Sequence, residues 1–284
     1  MIFAFIQDQR KHFPLRLLFR VLQVSRSGFY AWKNRGISQR QLRRRKMTRM
    51  IQVVHAESDQ TYGSPRVHRA LISRGIDCCV NFVAKLMRFG GIGAQTRRRY
   101  KRTTDSNHQL PVAPNRLSQE FKAQRRDQVW LSDITYIPTR EGWLYCCTVE
   151  DLYSRRIVGW QLSPRIDSRL VVDAVQMALV RRQAAAGLVL HSDRGSQYCS
   201  DHLRSLLRKH QVLQSMSRKG NCYDNAPMES FFRSMKVERV HRRDYQCRSE
   251  ARKDLIDYIE SFYNRRRLHS ALNYISPVEF ESMA

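Results

Sequence analysis

The stretch from Leu188 to Lys236 constrains this chain most, because it sets one carboxylate at the end of a β run and another at the start of a helix. The run LVLHSDRGSQY is apolar and β-prone up to His191, reaches Asp193 and breaks at Gly195, which places that carboxylate at the mouth of a sheet. Further on, NCYDNAPMESFFRSMK opens a helix: Asn225 or Asp224 can cap it, Pro227 suits its first turn, and Met228, Phe231, Phe232 and Met235 form an apolar side. Glu229 falls in the first turn. Lys236, two turns on, shares its face and leans back towards the helix N-terminus. Asp193 and Glu229 are therefore candidates to converge, with a cation beside them.

Two carboxylates serve a metal or an acid/base pair, and a third favours the metal. VWLSDITYIPT supplies one: Asp133 lies inside a β-branched and aromatic run, Val129 to Thr139. A lone acid in such a strand is desolvated unless something positive meets it, and a divalent cation does that.

The chain has 284 residues, a formal net charge of +26 and a pI near 10.5, which point to a polyanionic partner. Residues 1–126 hold 27 Lys plus Arg against 6 Asp plus Glu, leaving +21, whereas residues 127–284 hold 24 against 19, leaving +5. The first half is the expected footprint on phosphates. No apolar run is long enough for a bilayer span or a secretory signal, so a cytoplasmic protein without membrane contact is expected. The 7 cysteines, with Cys78–Cys79 and Cys146–Cys147 adjacent and no C-x-x-C, read as buried thiols rather than disulfides, and no histidine falls into zinc spacing with them.

In order, residues 1–58 read as a helical region. Leu15, Leu18, Val21 and Leu22 stand at helical spacing, Ser25 is a possible cap, and the helix after residue 37 carries Arg40, Arg43, Arg44, Arg45 and Lys46 with no neighbouring acids, as phosphate contact requires. Residues 59–92 hold two helices around Gly75, either a helix-turn-helix or a plain helical hairpin; in the first case Asn81 and Lys85 lie on the reading helix. Residues 93–118 lose apolar periodicity and read as a basic linker. Residues 119–241 give the order β-β-β-α-β-α-β-α, an antiparallel meander followed by a helical crossover that brings the strand before Asp193 parallel to that of Asp133. Residues 242–284 form a helical tail, in which RKDLIDYIESFYN has one apolar face for the core or a second subunit.

The motifs WLSDITYI, HSDRGSQY and GNCYDNAPMESFF, with 35 residues between Asp193 and Glu229 and a lysine seven further on, resemble the OrfB-type transposases of bacterial insertion sequences. These belong to the DDE transposase and retroviral integrase superfamily. SRSGFYAW, YGSPRVHRAL and YIESFYNRRRLHSALNYISPVEFE extend the resemblance over nearly the whole chain. It implies an α/β fold, a ribonuclease-H-like mixed-sheet catalytic core preceded by a helical DNA-binding region. It further implies cleavage and strand transfer of element ends into target double-stranded DNA by Asp133, Asp193 and Glu229 with two Mg²⁺ ions, for which Mn²⁺ can substitute. Lys236 would contact DNA near the scissile phosphate, and Arg218, Lys219, Asn221 and Tyr223 would form a loop over the strand. The family implies a homo-oligomer on DNA, association with the nucleoid, and an upstream-frame product (OrfA) joined as fusion or partner. The retroviral N-terminal zinc array is missing, and residues 1–60 carry no leucine heptad, so the chain is expected to need the upstream product. A silent end-binding protein and a stand-alone nuclease of the same fold are the alternatives.

Overall fold

The computed structural model describes residues 1–94, 111–218 and 222–283. Helices α1 (Ile2–Gln9), α2 (Leu15–Val21) and α3 (Arg26–Asn34) close around Ile6, Leu18 and Phe29. Ser25 caps α3 by accepting from the Gly28 N–H, as its place in the sequence predicts. Two details depart from the periodicity. The opening MIFAFI is itself a helix, anchored by the wholly buried Ile6, and Val21 turns out to solvent at 67 % exposure because α2 is too short to bury a full stripe.

Helix α4 (Gln39–Glu57) starts on a capping box: the Ser38 hydroxyl accepts from the Gln41 N–H, and the Gln41 side chain accepts from the Ser38 N–H. Helix α5 (Ser64–Ser73) has Pro65 in its first turn, Gly75 at φ +74° ends the turn after it, and α6 (Val80–Phe89) follows. Their inner faces, Met47, Ile51, Val54, Val67, Leu71, Val83, Leu86 and Met87, join one hydrophobic cluster that runs on into the sheet domain. Burial of this continuous apolar surface, rather than helix propensity, stabilises such short helices.

The sheet consists of β1 (Val129–Thr139), β2 (Gly142–Asp151), β3 (Ile157–Ser163), β4 (Val189–Ser192) and β5 (Leu213–Met216), in the order β3-β2-β1-β4-β5. The first three strands form the antiparallel meander, and β4 and β5 add parallel to β1, as expected. Helix α7 (Ser168–Arg182), capped by Asp167, makes the crossover; α8 (Asp201–Lys209), capped by Ser200, leads into β5. Both lie on the sheet face that carries Trp130, Cys147, Val149 and Val158. Gly159 is required there, since a Cβ would collide with the Ala174 carbonyl and with Ala178 of α7.

The opposite face, with Leu131, Ile137, Leu144, Cys146 and Leu162, is covered by α9 (Ala226–Glu238), by α10 (Arg248–Asp257) and by the π-helical turn Tyr258–Tyr263. The apolar face of the tail thus packs on its own core. Asn264 fixes it by accepting from the Ile157 N–H and donating to the Ile157 carbonyl, both at 2.9 Å. Helix α11 (Pro277–Ser282) is fixed by Glu281, which meets Arg182 at 2.8 Å; the same guanidinium reaches Asp127 at 2.8 Å and Asp151 at 3.1 Å. Burial opposes the charge on Arg182, but its bonds to Glu281 and Asp127 outweigh that and raise its pKa.

The final residues of the basic linker also dock: Leu117 is buried in the core, and the Arg116 N–H donates to the Ser215 hydroxyl. The rest of that linker, residues 95–110, lies outside the described residues. Among the described residues no helix is long and apolar enough to cross a membrane.

Candidate active site

Asp133 sits mid-strand on β1, opposite Thr148 of β2. Strand alternation turns it to the same sheet face as Leu131, the face covered by α9. The parallel ladder pairs Ser132 with Ser192, so the next residues in register are Asp133 and Asp193. β4 ends at Ser192, and Asp193 begins a tight turn in which its Oδ1 accepts from the Gly195 N–H at 2.9 Å. Asp133 likewise accepts from the Ile134 N–H at 2.7 Å. On α9, Glu229 is exposed in the first turn and Lys236 is half-buried two turns on.

The four side chains share one electrostatic environment. Burial pushes the Asp133 carboxyl well above the usual carboxylate range; Asp193 adds to that and Glu229 adds less, while the Ile134 hydrogen bond and Lys236 act in the opposite sense. Like charges spread apart when nothing positive lies between them, and among the described residues no three His, Cys, Asp or Glu side chains are drawn close enough to form a ready-made metal cage. The donor chemistry nevertheless fits a hard divalent cation. Asp193 and Glu229 both raise the Asp133 pKa, and a cation among the three carboxylates would relieve that repulsion. The thiols near them do not compete, since burial raises the pKa of Cys146 and lifts that of Cys147 to about 12, leaving both protonated.

The segment before α9 holds residues that sequence reasoning missed. Neither Asn225 nor Asp224 caps the helix with its side chain. Asn225 instead donates to the Ser132 carbonyl at 3.2 Å, tying the start of α9 to the strand residue before Asp133. Asp224 collects Arg218 through its N–H at 2.7 Å and its guanidinium at 3.0 Å, Gln119 at 2.8 Å and Asn115 at 3.2 Å. Burial alone would raise its pKa, but the Arg218 hydrogen bonds and that from Gln119 prevail and bring it down to about 2. On the other face of β1 the buried Ser132 hydroxyl pairs with Tyr198 at 2.9 Å. On the Asp133 face, in register with Leu131, His191 has its pKa lowered by burial and lies between the hydroxyls of Ser215 and Ser217 at 2.8 and 3.2 Å. The polar run Tyr223-Asp224-Asn225 before a proline was the available signal, and it resembles an ordinary cap.

Arg218 is therefore engaged with Asp224, although 56 % of its side chain stays exposed. Lys219, Asn221 and the Tyr223 side chain lie outside the described residues. In the N-terminal region Arg43, Arg45, Asn81 and Lys85 are exposed and Arg44 is half-buried. Arg44 of α4 and Lys85 of α6 meet across a hollow of about 200 Å³ whose apolar wall is Phe82, Leu86 and Phe89.

Residues 41–100 match an HTH-like domain, and residues 123–222 and 229–284 match integrase core domains. The Escherichia coli K12 transposase InsF of insertion sequence IS3A is 42 % identical over 284 residues, 99 % of each chain. This chain belongs to the insertion-sequence transposase family that includes the IS3 enzymes. A 31 kDa protein of insertion element IS600 from Shigella sonnei is 42 % identical over 261 residues, covering 92 % of this chain and 96 % of that one. Among solved structures, the simian T-cell lymphotropic virus intasome aligns with a TM-score of 0.47 and 11 % identity, over 75 % of this chain and 69 % of that one. The mixed sheet with its antiparallel meander and parallel extension is the ribonuclease-H-like architecture of an integrase core, and the chain is a transposase with such a core.

Proposed function

We propose that this transposase cuts and joins DNA at Asp133, Asp193 and Glu229, with Mg²⁺ or Mn²⁺ as cofactor. The observation that carries the reading is the parallel register of β1 and β4, in which Asp133 and Asp193 follow the paired Ser132 and Ser192, together with the charge of Glu229 felt at Asp133. Asp133, Asp193 and Glu229 are the residues that would hold the two ions. When bound, such a pair activates the entering oxygen and steadies the leaving one in displacement at phosphorus, first by water and then by a 3′-hydroxyl.

The chain's own residues do the rest. β1 holds Asp133 within a strand, β4 delivers Asp193 just past its end, and Asn225 ties α9, which carries Glu229, to Ser132. Lys236 lies close enough to Asp133 to affect its ionisation, which supports a role beside the scissile phosphate. Lys219, Asn221 and Tyr223, with Arg218, contact the DNA strand. Arg43, Arg44 and Arg45 take backbone phosphates, and α6 presents Asn81 and Lys85 to bases. Residues 1–58, 59–92, 93–118, 119–241 and 242–284 act as helical region, helix-turn-helix, linker, core and tail. The protein works in the cytoplasm on nucleoid DNA, as a homo-oligomer on paired element ends, with the upstream-frame product as fusion or partner.

The test is a joining assay on labelled duplex ends with and without Mg²⁺. Activity should require the ion, and Asp133→Asn, Asp193→Asn and Glu229→Gln should each reduce joining at least about a thousandfold, roughly 4 kcal/mol, while duplex binding persists. Joining retained above a few per cent in any one of them defeats the assignment. Cleavage without joining by the parent would instead identify a nuclease.

A further inference from the structure

We propose that a basic cavity beside α9 seats a backbone phosphodiester of the DNA strand on which the core acts. The inference rests on the strand-transfer reading above and adds a contact to it. The cavity, about 320 Å³, brings together Arg66 of α5, Ser230, Arg233 and Ser234 of α9, Glu238 at the end of α9, and Arg267 from the segment after the π-helical turn, with Val237 as an apolar wall. Three parts of the chain far apart in sequence thus present three guanidinium groups to one hollow.

A single carboxylate does not balance them. Glu238 is committed to Arg267, which donates to both of its oxygens at 2.7 and 2.8 Å, and to the Tyr258 hydroxyl at 2.8 Å. Arg66 stands 3.7 Å from Glu238, too far for a hydrogen bond. Burial lowers the pKa of Arg66, and Arg267 is the next cause, so the two cations crowd each other with too little anion between them. Arg233 is exposed at the rim and adds a further positive charge. The hydroxyls complete the set. Ser234 accepts from Arg267 at 2.9 Å, which leaves its own proton to donate into the hollow, and Ser230 is exposed beside it. Forked guanidinium donors with hydroxyl donors around a concave surplus of positive charge match the tetrahedral oxygens of a phosphate.

The position argues for DNA rather than for a free anion. Ser230 follows Glu229 directly, Arg233 lies one turn beyond Glu229 on the same side of α9, and Ser234 and Val237 continue along the helix. A strand whose reacting phosphate lay at the carboxylates would carry its neighbours along α9 into the hollow. Arg66 would then link the helical region and the core through the substrate.

The experiment uses the full chain and a short fluorescent duplex, with the dissociation constant measured across a salt series. Each phosphate contact contributes about 0.9 to the slope of log K against log salt, so Arg66→Gln and Arg233→Gln should each flatten it by about one. Ser230→Ala with Ser234→Ala should weaken binding several-fold and leave the slope unchanged. A methylphosphonate placed along one strand should cost affinity at one position in the parent and cost nothing there in Arg66→Gln. Because Arg66 also lies over the Tyr62 ring at 5.8 Å, its loss can disturb folding; the exposed Arg233 keeps the test intact. Unchanged slopes in both variants, with the parent binding duplex, overturn the cavity alone. Inorganic phosphate or ATP stabilising the parent but not Arg66→Gln against heat, with duplex giving no such difference, would assign the hollow to a free anion and overturn the proposal. No duplex binding by the parent would overturn the reading beneath it as well.

Discussion

The first 94 residues and the sheet domain use their arginines in opposite ways. Residues 1–94 hold 18 Lys plus Arg against 4 Asp plus Glu, and among the described residues one ion pair, Arg74 with Glu57, closes within that region. The two others that involve it, Arg66 with Glu238 and Arg239 with Asp59, cross to the core. In the sheet domain the arginines are turned on the chain's own carboxylates: Arg182 on Asp127, Asp151 and Glu281, Arg267 on Glu238, and Arg239 on Asp254 and Asp257. The lesson is that net charge alone does not locate a nucleic-acid surface. What counts is the positive charge left after internal pairing, of which α4, with Arg40, Arg43, Arg44, Arg45, Lys46 and Arg49, carries one share and α6 and the α9 cavity carry others.

The largest expected effect strikes the core side of this contrast. Arg182 is 9 % exposed and faces three carboxylates; without it Glu281 keeps Arg156 at 2.6 Å, but Asp127 and Asp151 lose the ion pair that each makes with it. Arg182→Ala should therefore destabilise the chain by about 3 kcal/mol, because the buried charges of Asp127 and Asp151 remain behind, while α11 stays held through Glu281 by Arg156 and Ser154. Denaturant unfolding of parent and variant checks this. A loss under about 1 kcal/mol would mean that the cluster is solvated like a surface pair, and the contrast between the two regions would fail.

A smaller effect is expected at Asp224, which belongs to the core but borders the site. Its folded pKa is depressed from 3.8 to about 2, so its contribution is fully present above the unfolded value and is lost as pH falls from about 4 towards 2. The shift corresponds to about 2 kcal/mol, and the half-exposed Arg218 brings solvent screening that reduces this to about 1–2 kcal/mol. Asp224→Asn should cost that amount at pH 7, and the difference from the parent should shrink on acidification. A pH-independent difference would show that packing, not ionic hydrogen bonding, fixes the segment before α9.

The same contrast governs what could be read from the sequence. Asp133 within a β-branched run, Asp193 at a glycine break and Glu229 after a proline are local patterns, and the helical crossover predicted the parallel pairing of the two aspartate strands. Cap chemistry at Ser25, Ser38 and Asp167 is equally local. The internal ion pairs are not: Glu238 and Arg267 are 29 residues apart, and Arg182 and Glu281 are 99 apart. Nothing in a run of basic residues marks which member turns inward. Asp224 was misread for the same reason, since Asp and Asn before a proline match a cap, and only packing gives them other partners: Arg218, Gln119 and Asn115 for Asp224, and the Ser132 carbonyl for Asn225. The first helix lies within the region read as helical, but its bounds were not legible because a short apolar opening has too few turns to display a period.

The smallest effect lies on the side where charge remains unpaired, and it decides what α6 does there. Val83, Leu86 and Met87 face inward, which leaves Asn81, Lys85 and Arg88, at spacings of four and three, as one outward stripe. Lys85 lies over the Phe89 ring at 6.0 Å, which restrains it against the hollow it shares with Arg44. If this stripe reads bases in the major groove, Asn81→Ala should reduce discrimination between an element end and a scrambled duplex by about 1 kcal/mol, with the salt slope untouched. Arg43→Gln and Arg45→Gln, on α4, should weaken binding to both duplexes alike and flatten the slope. Competition binding with the two duplexes at several salt concentrations separates the cases. Should Asn81→Ala weaken both duplexes equally, α5 and α6 are a helical hairpin resting on the backbone, and sequence recognition belongs to another part of the chain.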